Sequence, residues 1–109
     1  MRVGIVGSRN AGNPDIEKFL PKKIGEIVSG GAKGVDTLAR EYALKRGMKL
    51  TEFLPEYEKF ARGAPVVRNR QIVEYADIVI AFRDGKSRGA KSVITYCEKI
   101  GKKHIVIKI

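Results

Sequence analysis

Five short apolar segments alternate with stretches of helical spacing, and no other feature restricts the fold as strongly. They are Val3-Gly4-Ile5-Val6, Glu26-Ile27-Val28, Lys49 to Leu54, Asp77 to Phe82, and His104 to Ile109. The fourth is continuously apolar and rich in β-branched residues, as a strand buried on both faces must be. The third alternates polar and apolar residues, the pattern of an edge strand. Helical crossovers join parallel strands, so the succession predicts an α/β fold. The expected architecture is a three-layer Rossmann-like domain, with a five-stranded parallel sheet of order 3-2-1-4-5 and helices on both faces.

The intervening stretches carry helix-end signals. Pro14-Asp15 predicts the start of a first helix, with Asn13 as its cap. A second is expected over Val35 to Arg46, stopping at Gly47, with Val35, Leu38, Ala39 and Ala43 at helical spacing. A third spans Pro65 to Tyr75, and a fourth runs from Gly89 to Ile100 and stops at Gly101. Pro55 to Ala64 receives no assignment and is a candidate lid or partner contact.

At 109 residues the chain suits one domain covering 1–109. There is no long apolar run for a membrane span, and the N-terminus lacks the layout of a signal peptide, so a cytoplasmic location is expected. The single cysteine, Cys97, excludes an internal disulfide framework and any multi-cysteine metal site. It shares a helical face with Ala90, Val93, Ile94 and Ile100 and reads as a core residue. The formal charge of +10 attracts anions without saying which.

Position narrows that question. Ligands of open parallel sheets bind outside the carboxyl ends of the strands, near the reversal of strand order. The segments leaving those ends include Gly7-Ser8-Arg9-Asn10, Ser29-Gly30-Gly31-Ala32-Lys33-Gly34, and Arg83-Asp84-Gly85-Lys86-Ser87-Arg88-Gly89. Each combines glycine or serine with basic residues. Glycine lets backbone N–H groups approach a phosphate, and a following helix adds the positive end of its dipole. Arg9, Lys33, Arg83, Lys86 and Arg88 are therefore expected on one rim. The first turn does not fit G-x-G-x-x-G, the second strand ends without an acidic ribose ligand, and no G-x-x-x-x-G-K-[ST] occurs. A nicotinamide dehydrogenase or P-loop triphosphatase is not expected, and no cofactor or metal is required.

Gly7-Ser8-Arg9, the block Ser29 to Ala39, Pro55, Arg68-Asn69 and the strand from Ala76 to Phe82 together resemble the cpYpsA-related SLOG family, the YspA group. The resemblance spans nearly the whole chain. It implies a Rossmann-like fold shared with the DNA-uptake protein DprA and the LOG phosphoribohydrolases, and binding of nucleotide-derived ligands such as ADP-ribose or NAD derivatives. Carried over by residue, Gly7, Ser8 and Arg9 form a first ligand loop, and Gly30, Gly31, Gly34 and Asp36 a second. Asp36 either binds a sugar hydroxyl or orders the loop. Thr37 either meets phosphate or only occupies the helix's first turn. Arg68 and Asn69 either reach over the pocket or make a local pair. After the fourth strand, Ala90 stands where many relatives have threonine, and Val93 where the LOG enzymes have a catalytic glutamate.

The leading expectation is binding or sensing of a small, phosphate-bearing nucleotide derivative by Gly7, Ser8, Arg9, Ser29, Gly30, Gly31, Lys33, Gly34, Asp36, Thr37, Arg68, Asn69, Asp84, Gly85, Ser87 and Gly89. The alternatives are a LOG-like N-glycosidase using Asp36 or Asp84, and a single-stranded nucleic-acid binder. Self-association is a further expectation, through an apolar patch near the second or fourth helix.

Overall fold

The computed structural model describes residues 1–7, 14–31, 34–83 and 88–109. Five parallel strands form one sheet: β1 (Arg2–Gly7), β2 (Glu26–Ser29), β3 (Lys49–Glu52), β4 (Ile78–Arg83) and β5 (His104–Lys108). Their order is β3-β2-β1-β4-β5, the order expected above. The helices are α1 (Val35–Lys45), the short α2 (Tyr57–Phe60), α3 (Ala64–Tyr75) and α4 (Arg88–Ile100).

Side-chain alternation along the strands feeds two cores. Val3 and Ile5 of β1, and Ile78, Ile80 and Phe82 of β4, pack with Val35, Ala39 and Ala43 of α1. Val6, Val28, Val79 and Ala81 point the other way, against Ile72 and Val73 of α3 and Val93 and Cys97 of α4. The central strands are covered on both sides, which explains their uninterrupted apolar sequence. Cys97 is fully buried, and burial pushes its thiol above the ordinary value.

The two sheet edges differ. On β3, Glu52 accepts a bidentate pair of hydrogen bonds from Arg40 of α1 at 3.0 and 3.1 Å. On β5, Ile105 and Val106 are exposed, as is Ile109 just beyond it.

The helix expected to start at Pro14-Asp15 is brief. Ile16–Phe19 makes a single 3-10 turn, after which Leu20 is extended at φ −82° and ψ 145°. Pro21 accounts for the stop, because its ring disfavours helical backbone in the residue before it. Asn13, the expected cap, lies outside the described residues. Gly47 and Gly101 do end α1 and α4, at φ 64° and 72°. The segment left unassigned folds as α2 and a 3-10 turn at Ala61–Gly63.

Candidate functional site

The chain runs from β1 outward to β3, then returns to place β4 on the other side of β1. The reversal puts a crevice at the carboxyl ends of β1 and β4, where parallel-sheet folds bind their ligands. Register brings Gly7 opposite Phe82 there, and β2 ends alongside at Ser29 and Gly30. Gly7, Ser29, Gly30, Gly31 and Arg83 therefore gather along one edge, as expected. Ser8, Arg9, Lys33, Asp84, Gly85, Lys86, Ser87 and the side chain of Arg88 lie outside the described residues.

The glycines at this edge have jobs within the protein itself. A Cβ on Gly7 would stand 2.6 Å from Cβ and Cγ2 of Val35, so glycine here lets α1 seat against the end of β1. Gly31 takes φ 68°, and a Cβ would meet Leu54 at 2.5 Å. Its N–H donates to Ser29 Oγ at 3.3 Å. Gly34 precedes α1 at φ 84° and ψ −126°, backbone that side chains with a Cβ avoid. These residues shape a tight strand-to-helix turn, and close packing alone accounts for their identity. Any ligand at this edge would be recognised by the charged groups beside these turns.

Arg68 supplies one. From the first half of α3 it crosses to the turn after β2, where its Nη1 donates to the Gly30 carbonyl at 2.9 Å. Its Nε donates to Asn69 Oδ1 at 2.8 Å. A Cβ on Gly30 would fall 2.5 Å from that Nη1, so the absence of a side chain there makes room for the guanidinium. The structure thus brings together Arg68, Asn69 and Gly30, which the sequence separates widely.

Arg83 supplies the second. It ends β4 half-buried, and its Nε is shut away from solvent with no hydrogen-bond acceptor among the described residues. Leaving a buried donor unmade costs about 1–3 kcal/mol, and an anion would recover it. Arg83 follows Ala81 in strand alternation and so faces the α3–α4 side, the side from which Arg68 reaches over. Two guanidinium groups flank the end of β1.

The outer wall of the crevice was not foreseen from sequence. Glu52 ends β3 next to Ser29 in register, and its carboxylate lies 3.5 Å from where a Gly31 Cβ would be. An acid so placed would repel a phosphate, but the Arg40 fork neutralises it. The available signals were the position of Glu52 at the end of an alternating strand and of Arg40 one helical turn after Asp36. Asp36 itself is buried in the first turn of α1, where an acid complements the positive helix end. Thr37 is exposed, and its N–H bonds back to the Gly34 carbonyl at 3.0 Å. Gly89 is exposed in the first turn of α4. Val93 lies in the α4 core at 1% exposure, so its position faces the sheet and not the crevice.

Beside this edge, a groove of about 450 Å³ runs between α3 and α4, lined in part by Asn69, Arg70, Lys91, Ser92, Tyr96 and Lys99. Among the described residues, no group of three His, Cys, Asp or Glu side chains is arranged to hold a metal, and no helix is long and apolar enough to cross a membrane.

Comparison with protein-family models, with curated proteins and with solved structures finds no match to this chain. The fold is that of a Rossmann-like α/β protein, with Arg68 and Arg83 near the carboxyl ends of its strands.

Proposed function

We propose that the chain binds a small phosphate-bearing ligand of nucleotide type at the carboxyl ends of β1, β2 and β4. This is the reading that its resemblance to the cpYpsA-related SLOG family also implies. The observation that carries it is the meeting of Arg68 with the Gly30 turn across 38 residues of sequence. That contact holds a guanidinium over the turn after β2, one strand away from the reversal of strand order. Arg83 adds a second cation whose buried Nε gains an acceptor when an anion enters. Arg40 removes the repulsion that Glu52 would otherwise exert.

In this reading the ligand's phosphate lies between the two guanidinium groups and the positive ends of α1 and α4. Asn69, held by Arg68, is positioned to hydrogen-bond a base or ribose. Asp36 orders the loop ahead of α1 or meets a sugar hydroxyl.

Thermal unfolding with AMP, ADP-ribose and NAD tests the proposal. A ligand at 100 times its Kd stabilises the folded state by about 2.7 kcal/mol, so a clear rise in Tm is expected for at least one of them. Arg68→Ala should weaken that ligand by about 10-fold or more, since a charge-assisted hydrogen bond is worth about 1.5–3 kcal/mol. No stabilisation by any of the three, or an Arg68→Ala protein that binds as tightly as the parent, would overturn it.

A further inference from the structure

We infer that the open edge of β5 is a docking site for an extended, acidic segment of a partner protein, which adds a strand to the sheet there. β5 lies at one edge of the sheet and, among the described residues, pairs with β4 alone. Its register with β4 runs unbroken from His104 to Lys108, with no bulge and no proline. The Lys103 carbonyl accepts from the Val79 N–H at 3.1 Å, and the Ile109 N–H donates to the Arg83 carbonyl at 2.9 Å. Alternate residues of a parallel strand bond to one neighbour, so the odd positions from 103 to 109 face β4. His104, Val106 and Lys108 therefore turn their backbone N–H and C=O groups outward, where another strand can bond to them.

The side chains suit a strand better than a flat surface. Ile105 and Val106 are 41% and 39% exposed, and as neighbours they point to opposite faces of the sheet. Ile107, on the Ile105 face, packs against the core that α1 covers. An added strand would cover exposed apolar groups on both faces at once, which a membrane or another one-sided surface cannot do. The opposite edge of the sheet is closed off differently, since on β3 Glu52 pairs with Arg40 and Lys49 with Glu26.

Charge selects the partner. From Lys99 to Ile109 the chain carries Lys99, Lys102, Lys103 and Lys108 and no acid. Lys102 donates to the Ala76 carbonyl at 2.6 Å. Lys103 and Lys108 are exposed at the two ends of β5, and neither enters the four ion pairs among the described residues. A second copy paired antiparallel about Val106 would set Lys108 against His104 and bring Lys103 to the end where the other Lys108 lies. Like charges across strands repel, and edge lysines deter such self-pairing. They favour instead a segment with a β-branched centre along Ile105 and Val106 and an acid at each end. Whichever way that segment runs, each acid meets a lysine. Main-chain bonds supply the affinity, and the lysines choose the partner.

The test is fluorescence anisotropy with a labelled, capped peptide of about nine residues, carrying two glutamates at each end of an alternating Val-Thr centre. Saturable binding with a Kd below about 1 mM is expected. A peptide with lysines in place of the glutamates should bind at least about 10-fold more weakly. Methylating two adjacent central amide nitrogens, one on each edge of the peptide, should abolish binding, because strand addition needs those donors. The double variant Lys103→Glu, Lys108→Glu should weaken the glutamate peptide by about 10-fold and admit the lysine peptide. Val106→Pro removes an outward donor without breaking a bond to β4 and should abolish binding. If the proline unfolds the chain, the charge variant decides. No binding, equal binding of the lysine or methylated peptide, an unreversed preference in the charge variant, or a folded proline variant that binds like the parent would overturn the inference. So would a parent that sediments as a dimer and becomes a monomer on Val106→Pro, which would assign the edge to a second copy. AMP stabilisation measured on the same proteins reports on the crevice separately, so either site can fail alone.

Discussion

The two ends of the sheet are built on opposite electrostatic plans. At the amino end, charges answer one another. Arg2 donates its backbone N–H to Asp77 at 2.7 Å and pairs with it through its side chain. Glu26, buried beneath, accepts the Thr51 hydroxyl at 2.5 Å and faces Lys49. Burial pushes the Glu26 carboxyl up, but the hydrogen bonds from Thr51 and Tyr75 and the charge of Lys49 outweigh it and hold it below its ordinary value. The Arg2 N–H does the same for Asp77. At the carboxyl end the acid Glu52 is neutralised, Arg83 keeps a buried donor without an acceptor among the described residues, and glycine turns replace side chains. The amino end is satisfied internally and serves stability. The carboxyl end instead sets Arg68 and Arg83 beside its glycine turns.

The largest test of this contrast is Gly7→Ala. Its Cβ would overlap the Val35 side chain, and overpacking of this kind costs about 1–3 kcal/mol. Urea denaturation should show the loss, and an unchanged midpoint would mean that α1 does not depend on this approach. Next comes Glu26→Gln, which keeps the shape but offers an amide to groups that donate. A cost of about 1–2 kcal/mol is expected by the same measurement, because a buried network loses an acceptor.

Acid should act on the same end. The folded carboxyls of Glu26 and Asp77 titrate below their unfolded values of about 4. Their stabilising contribution is therefore complete above that pH and is lost as pH falls through the lower folded values. The drop in urea midpoint between pH 5 and pH 3 should be smaller in a protein carrying Glu26→Gln and Asp77→Asn. The smallest expected effect on stability is that of Gly30→Ala. The new Cβ would meet the Arg68 side chain, which can swing aside only by giving up its bond to the Gly30 carbonyl, so urea stability should fall by about 0.5–1 kcal/mol. Nucleotide binding should nevertheless weaken several-fold, which separates a site residue from a structural one.

Much of the architecture could be read directly from residue order. Uninterrupted β-branched runs marked the buried strands, and Gly47 and Gly101 marked the helix ends. Pro21 is a stop signal that the expectation of a helix from Pro14-Asp15 leaves out. Strand ends and glycine turns suffice to put Gly7, Ser29, Gly30 and Gly31 along one edge of the sheet, but they suggest that glycine makes room for phosphate. In the folded chain Gly7 makes room for Val35 and Gly30 for Arg68. Nor could sequence reveal that Arg40 silences Glu52, since that pairing depends on α1 lying across the β2–β3 side of the sheet.

The concealment of Cys97 leaves the native protein blind to thiol reagents. Because it is the chain's single cysteine, a substitution such as Leu54→Cys would give one addressable sulfur next to Gly31. A dye or spin label attached there would report directly on the turn after β2 as ligand arrives, with no need to alter the interior first.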